Sequence, residues 1–323
     1  MAHEFERISK IAALHAGRAL DPSIVHAIGD DCAIIDPTRL RAGERLVWTI
    51  DTAVDEIHFR RAWLSMEQLG YRATIAATSD LLAMGARPIA MLAASTLPDD
   101  LDDDAFDACV RGQRSACDAV GVALIGGNLS SGSLLSIATT ALGATTRPIL
   151  RSRASIGDVV VVAGVVGEAA IGLRALMSGR EAEFARFADR WRVPPCLLAA
   201  ADIFASHAHA LIDVSDGLAQ DVGHIARASG VRIVLDERAL AARRAPDVDE
   251  ACARLGVDAL TMELSGGEDY ALVATMSREA FDDGFAREYK PIGEVVAGTG
   301  VSVRTREGVL VAPPAGHVHG VSR

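Results

Sequence analysis

Lysine is almost missing from this sequence. Lys10 and Lys290 are the only two, and neither stands in a glycine-rich motif. A Gly-x-x-x-x-Gly-Lys-Ser/Thr phosphate loop is therefore excluded. Aromatic residues are also scarce, 4% of a chain that is 50% hydrophobic, so the core is built from Ala, Val, Leu and Ile. The five cysteines (Cys32, Cys109, Cys117, Cys196, Cys252) show no CxxC spacing. An odd number scattered through apolar stretches reads as reduced thiols of a cytoplasmic protein. The longest apolar run, Val159 to Val166, is too short for a membrane span, and Met1 to Arg18 is charged, without the apolar centre of a signal peptide. Positive charge is the minority sign. A net charge of −11 and a pI near 5.3 argue against binding to nucleic acid or an anionic membrane surface.

What is present is a large core and many carboxylates at chosen places. At 323 residues the chain suits two domains. The polar, Arg-rich stretch Thr145 to Ile156 marks the boundary, giving domains 1–148 and 149–323. Aspartates recur at the ends of apolar segments: Asp30-Asp31 before Cys32–Ile35, Asp51 at the end of Leu46–Ile50, Asp80 within Ala76–Leu82, and Asp213 and Asp216 after Ala210–Ile212. Unpaired carboxylates beside a core repel one another and lose hydration, so they call for cations or good hydrogen bonds. Hard oxygen ligands in this arrangement are what a magnesium–phosphate site requires.

Hydrophobic spacing predicts helices over 4–16, 65–84, 104–120, 168–177 and 219–228, and strands over 32–35, 45–52, 88–97, 122–125, 134–144, 159–163, 231–235 and 271–274. Several motifs carry a purely structural alternative. Ser79-Asp80 carries the alternative of an N-cap for a second short helix. Gly126-Gly127-Asn128 reads as a tight turn offering backbone and an amide oxygen to a ligand, or as an ordinary hairpin. Gly164 and Gly167 are explained by close helix–strand packing. Ser215 or Asp216 would cap the helix that follows. Glu268 and Asp269, on a glycine turn before a strand, are well placed to hold a ligand. The carboxylates of Asp99 to Asp104 complement a helix N-terminus.

Taken in order, these motifs resemble the thiamine-monophosphate kinase family of the aminoimidazole ribonucleotide synthetase superfamily. The resemblance rests on Ile28-Gly29-Asp30-Asp31-Cys32-Ala33, Asp51-Thr52 with His58-Phe59, and Ser79 to Ala86. It continues in Gly126-Gly127-Asn128, Arg151-Ser152 with Gly157-Asp158, Asp213 to Leu218, and Ser265 to Tyr270. It implies an α/β plus α+β fold: an N-terminal domain binding ATP and magnesium, whose sheet pairs with a second copy in a homodimer barrel, and a C-terminal α+β domain. The implied reaction is ATP-dependent phosphorylation of thiamine monophosphate to thiamine diphosphate by direct in-line transfer, with no catalytic base.

By the same resemblance Asp31, Asp51, Asp80 and Asp213 bind Mg²⁺. Asp30, Asp216, Thr49, the Ile50 carbonyl and Asn128 stand in or beside that cluster. Gly127, Asn128, Arg151 and Ser215 contact ATP, and His58, Glu268 and His317 contact the acceptor. Three positions depart from the family pattern: Asn128 replaces an aspartate, Cys196 an arginine, and Gly316 to Gly320 an aromatic stretch. Two other readings therefore stay open. One is a paralogous enzyme with the same ATP/Mg²⁺ site and a different phosphorylated acceptor. The other is a non-catalytic nucleotide-sensing dimer.

Overall fold

The computed structural model describes residues 4–15, 17, 19–28 and 32–314. Gly29-Asp30-Asp31 and the stretch containing His317 lie outside the described residues. The chain divides into two compact units, one of residues 1–82 and 86–147, the other of residues 83–85 and 148–323.

In the first unit α1 (Glu4–His15) precedes a small antiparallel pair, β1 (Ile24–His26) and β2 (Ile34–Ile35). There follow β3 (Arg45–Val54), α2 (Met66–Ala83), β4 (Arg87–Leu97), α3 (Asp103–Val120), β5 (Ala123–Ser131) and β6 (Ser136–Thr145). The sheet runs β3-β6-β4-β5. It is antiparallel except for β4 and β5, which are parallel and joined by α3, the crossover that parallel pairing demands. Thr49 and Met91 lie on the face covered by helices, where Thr49 meets Asp80 of α2 and Met91 meets Cys117 of α3. On the other face Ala90, Leu142 and Ala144 pack against Ile24 and Ile35. Beyond that patch Leu46, Trp48 and Ile50 of the edge strand are exposed, Trp48 at 67% and Ile50 at 65%.

Two local expectations are corrected here. The Ser79-Asp80 cap of a second helix does not form: α2 is continuous, Ser79 Oγ donates to the Ala76 carbonyl at 2.8 Å, and Asp80 is a helix-interior residue. Gly126-Gly127-Asn128 is not a turn but the middle of β5. A Cβ on Gly127 would sit 1.9 Å from the Ala93 carbonyl oxygen, so glycine is there to let two strands approach. A register shift between Met91 and Leu92, where β5 carries one extra residue, marks the same spot. The predicted complement of the α3 N-terminus is specific: Asp102 accepts from the Ala105 amide at 2.7 Å.

The second unit holds β7 (Val159–Ala163), α4 (Glu168–Met177), α5 (Ala185–Arg192), α6 (Leu198–Ala205), β8 (Ala210–Val214), α7 (Leu218–Ser229) and β9 (Arg232–Asp236). It continues with α8 (Glu237–Ala241), α9 (Val248–Leu255), α10 (Ala259–Ser265), β10 (Ala271–Met276), α11 (Arg278–Gly284), β11 (Pro291–Val296), β12 (Gly300–Arg304) and β13 (Leu310–Val311). Its sheet runs β13-β12-β9-β11-β7-β10-β8, with β12–β9 parallel and the other pairs among the described residues antiparallel. Val160, Val162, Ile212, Val273 and Ile233 form its core with Leu218, Val222 and Ile225 of α7. The ladders bring three connections to one end of this sheet: the segment after β7, the one after β8 and the one before β10. No helix among the described residues is long and apolar enough to cross a membrane.

Candidate functional site

In the first unit the alternation of β3 turns Thr49 and Asp51 toward the helix-covered face and Ile50 to the other. Thr49 Oγ1 donates to Asp80 Oδ2 at 2.7 Å, so a strand residue and a helix residue 31 positions apart meet. Asp51, exposed, accepts at Oδ1 from the Thr52 amide at 2.7 Å. Register sets Asp51, Thr139, Ala93 and Gly127 in one row across the sheet. Asn128 falls in the next row, with Ala94, Ala138 and Thr52. Just past β3, His58 Nδ1 accepts from the Val54 amide at 3.1 Å. With that nitrogen engaged as acceptor, the ring's proton sits on Nε2.

In the second unit the Asp213–Gly217 turn is held from inside. The predicted caps, Ser215 and Asp216, do not cap α7 with their side chains. Instead Asp221, buried in the first turn of that helix, reaches back: its Oδ2 accepts from the amides of Ser215, Asp216 and Gly217, each at 3.1 Å. Burial, reinforced by the charge of Asp213, pushes the Asp221 carboxyl up to about 7. Asp213 itself is buried at the end of β8, and Asp216 Oδ2 accepts from Gln220 at 3.2 Å.

The Gly266–Tyr270 connection lies against this turn. The Glu268 amide donates to the Ser215 carbonyl at 2.8 Å and the Tyr270 amide to the Val214 carbonyl at 2.9 Å. A Cβ on Gly267 would stand 2.1 Å from the Ser215 oxygen. Glu268 and Tyr270 adopt φ of 69° and 49°, a left-handed conformation that costs a non-glycine residue about 1–3 kcal/mol and clusters at functional sites. The Glu268 carboxylate accepts from Nε1 of Trp191, a fully buried residue. Asp269, expected to face a ligand, does not. It is 1% exposed and accepts from the Gly167 amide at 2.6 Å and the Ala169 amide at 3.0 Å, capping α4. Arg151 lies against α7: its carbonyl accepts from Ser229 Oγ at the last residue of that helix, and its charge helps burial hold His224 below the usual histidine range.

The described residues thus present two oxygen-rich sets, Thr49, Asp51 and Asp80 on one unit, and Asp213, Ser215, Asp216 and Asp221 on the other. No group of three or more His, Cys, Asp or Glu side chains suited to a metal converges among the described residues. The donor chemistry nevertheless fits a hard divalent cation. Asp221 is raised first by burial and only then by the charge of Asp213, and the buried Thr139 hydroxyl in the Asp51 row has no hydrogen-bond partner among the described residues. Sequence reasoning missed Asp221, Trp191 and Thr139. An aspartate in the first turn of a glycine-opened helix was the available signal for the first; contacts across the fold hide the other two.

Comparison with known proteins identifies the family. Residues 29–145 match the family AIR synthase related protein, N-terminal domain, and residues 155–306 its C-terminal domain counterpart. A thiamine-monophosphate kinase of Mycobacterium tuberculosis (strain H37Rv) is 37% identical over 268 residues, 82% of this chain and 78% of that protein. The crystal structure of thiamine-monophosphate kinase from Stenotrophomonas maltophilia K279a superposes with a TM-score of 0.81 at 32% identity, covering 93% of this chain and 96% of that one. A structure described as AaThiL complexed with AMPPCP and TMP superposes with a TM-score of 0.77 at 29% identity over 96% and 95% of the two chains. Two family domains in order, with relatives matching along most of their length, settle the membership: this chain belongs to the AIR synthase related family, in its thiamine-monophosphate kinase branch.

Proposed function

We propose that this protein transfers the terminal phosphoryl group of ATP to thiamine monophosphate, yielding thiamine diphosphate and ADP. The observation that carries the reading is the Thr49–Asp80 pair with Asp51 beside it on the same sheet face, in a chain 37% identical to a thiamine-monophosphate kinase. Asp51, Asp80 and Asp213, with Asp30 and Asp31, hold Mg²⁺; Thr49, the Ile50 carbonyl, Asn128 and Asp216 support them. Mg²⁺ held there would supply charge neutralisation to the facing phosphates.

The remaining roles belong to the chain's own groups. Gly127, Asn128, Arg151 and Ser215 contact ATP. His58, whose Nδ1 accepts from the Val54 amide, contacts the acceptor. Glu268, oriented by Trp191, sets a carboxylate against the cationic thiazolium of the acceptor, with His317 as a further contact. The acceptor oxygen is already anionic at neutral pH, so no residue has to remove a proton, and the rate comes from positioning and charge. The exposed row Leu46, Trp48 and Ile50 on an edge strand supports a homodimer formed through this sheet. The expected location is the cytoplasm.

A second reading is favoured by one feature. Cys196, where the resemblance implies an arginine, is a half-buried thiol pushed further toward neutrality by burial, so a cation expected at that position is absent. ADP release from MgATP with thiamine monophosphate, thiamine and other phosphorylated metabolites separates the two. Saturable turnover with thiamine monophosphate alone carries the first reading. Turnover only with another phosphorylated acceptor replaces it.

A further inference from the structure

One polar atom beside the first oxygen-rich set is unaccounted for. Thr139 is 1% exposed, and its Oγ1 is buried with no hydrogen-bond partner among the described residues. Buried hydroxyls almost always find a partner, so an orphan calls for a reason. Its position supplies one. Thr139 stands directly opposite Asp51 in the β3–β6 ladder, with Thr49 diagonal to it on the same face. Directly opposed side chains have Cβ atoms about 5 Å apart, within reach of a hydroxyl–carboxylate bond. In this structure Asp51 turns instead to its own neighbour, accepting from the Thr52 amide.

We propose that Thr139 is a positioning residue for the cation site: when Asp51 turns inward to a divalent cation, the Thr139 hydroxyl donates to one carboxylate oxygen and aims the other at the metal. This rests on the reading of that face as a cation–phosphate site. Outer-shell partners that orient a ligating carboxylate typically alter metal affinity by about 10–100-fold when removed. The hydroxyl is idle without the cation, so its removal leaves the metal-free fold intact. Those two consequences together distinguish a positioning role from a structural one.

The test is Mn²⁺ binding to the full chain, followed by calorimetry, with melting temperatures taken in chelator. Thr139→Val keeps the shape and deletes the hydroxyl; Thr139→Ala is a second deletion that cannot overpack; Thr139→Ser restores the donor. The expected result is Mn²⁺ affinity lowered at least about 10-fold in Val and Ala, recovered in Ser, with the metal-free melting temperature of Val unchanged or raised. Unaltered Mn²⁺ affinity in Val and Ala overturns the role of Thr139 while leaving the cation site standing. A wild-type chain that binds no Mn²⁺ overturns the cation site itself, and the inference with it.

Discussion

Asp269 poses a competition between two opposing effects whose outcome a pH series reads directly. The carboxylate caps α4 through the amides of Gly167 and Ala169, and both those bonds and the helix N-terminus favour the charged form. Complete burial opposes them and wins, pushing the carboxyl from its ordinary 3.8 up to about 7. The sign follows from proton counting. Between about pH 4 and pH 7 the folded protein holds a proton that the unfolded chain has released, so this group's contribution to stability falls as pH rises through that window and levels off above it. At about 1.4 kcal/mol for each pH unit, the loss integrates to about 4 kcal/mol.

Asp269→Asn removes the titration. It also leaves one of the two amides facing an NH₂ group, a cost of about 1–3 kcal/mol. Urea denaturation of both proteins from pH 4.5 to 8, at fixed ionic strength and in chelator, should show the stability gap largest at the acid end. The gap should shrink by several kcal/mol toward neutrality. A gap that widens with pH would refute the reasoning, because it would mean that the cap keeps Asp269 ionised despite its burial.

Three further outcomes are expected. Asp80→Asn should lower kcat by at least about 10²-fold with little change in melting temperature, since the amide oxygen still accepts from Thr49 but carries no charge; near-normal turnover would remove Asp80 from the metal assignment. Gly127→Ala should destabilise the chain by about 3 kcal/mol or more, because its Cβ would meet the Ala93 carbonyl at 1.9 Å; a variant as stable as the parent in urea would mean that the two strands stand further apart. Trp48→Glu puts a charge into the exposed apolar row of β3 and should convert a dimer to monomer in analytical ultracentrifugation. An unchanged sedimentation coefficient would dismiss this face as the dimer contact.

Where the chain obeys one local rule, sequence and structure agree. The 3.6-residue spacing of Leu69, Ala73 and Ala76–Ala77 marks α2, and the apolar run 159–163 marks β7. Disagreements arise where a residue answers to something distant. Gly126-Gly127 carries a strong turn signal, yet the glycines serve the approach of β5 to β4. Ser215 and Asp216 stand where helix caps stand, but Asp221, already inside the helix, takes the amides they would have taken. Asp269 looked like a ligand because it follows two glycines; its partners lie 100 and 102 residues upstream. In the site itself, the meeting of Thr49 with Asp80 needed the sheet and α2 in register before it existed. Composition and motif order carry chemistry well, whereas hydrogen-bond partners across the fold do not show in local pattern.

Phosphorus-31 NMR of the chain with MgATP and thiamine monophosphate tests phosphoryl transfer most directly. Diphosphate resonances of thiamine diphosphate should grow in step with ADP, one for one, and stop on chelation of Mg²⁺. Loss of the ATP γ-phosphate to free phosphate, or no change with thiamine monophosphate while another phosphorylated acceptor is consumed, would contradict the proposed reaction.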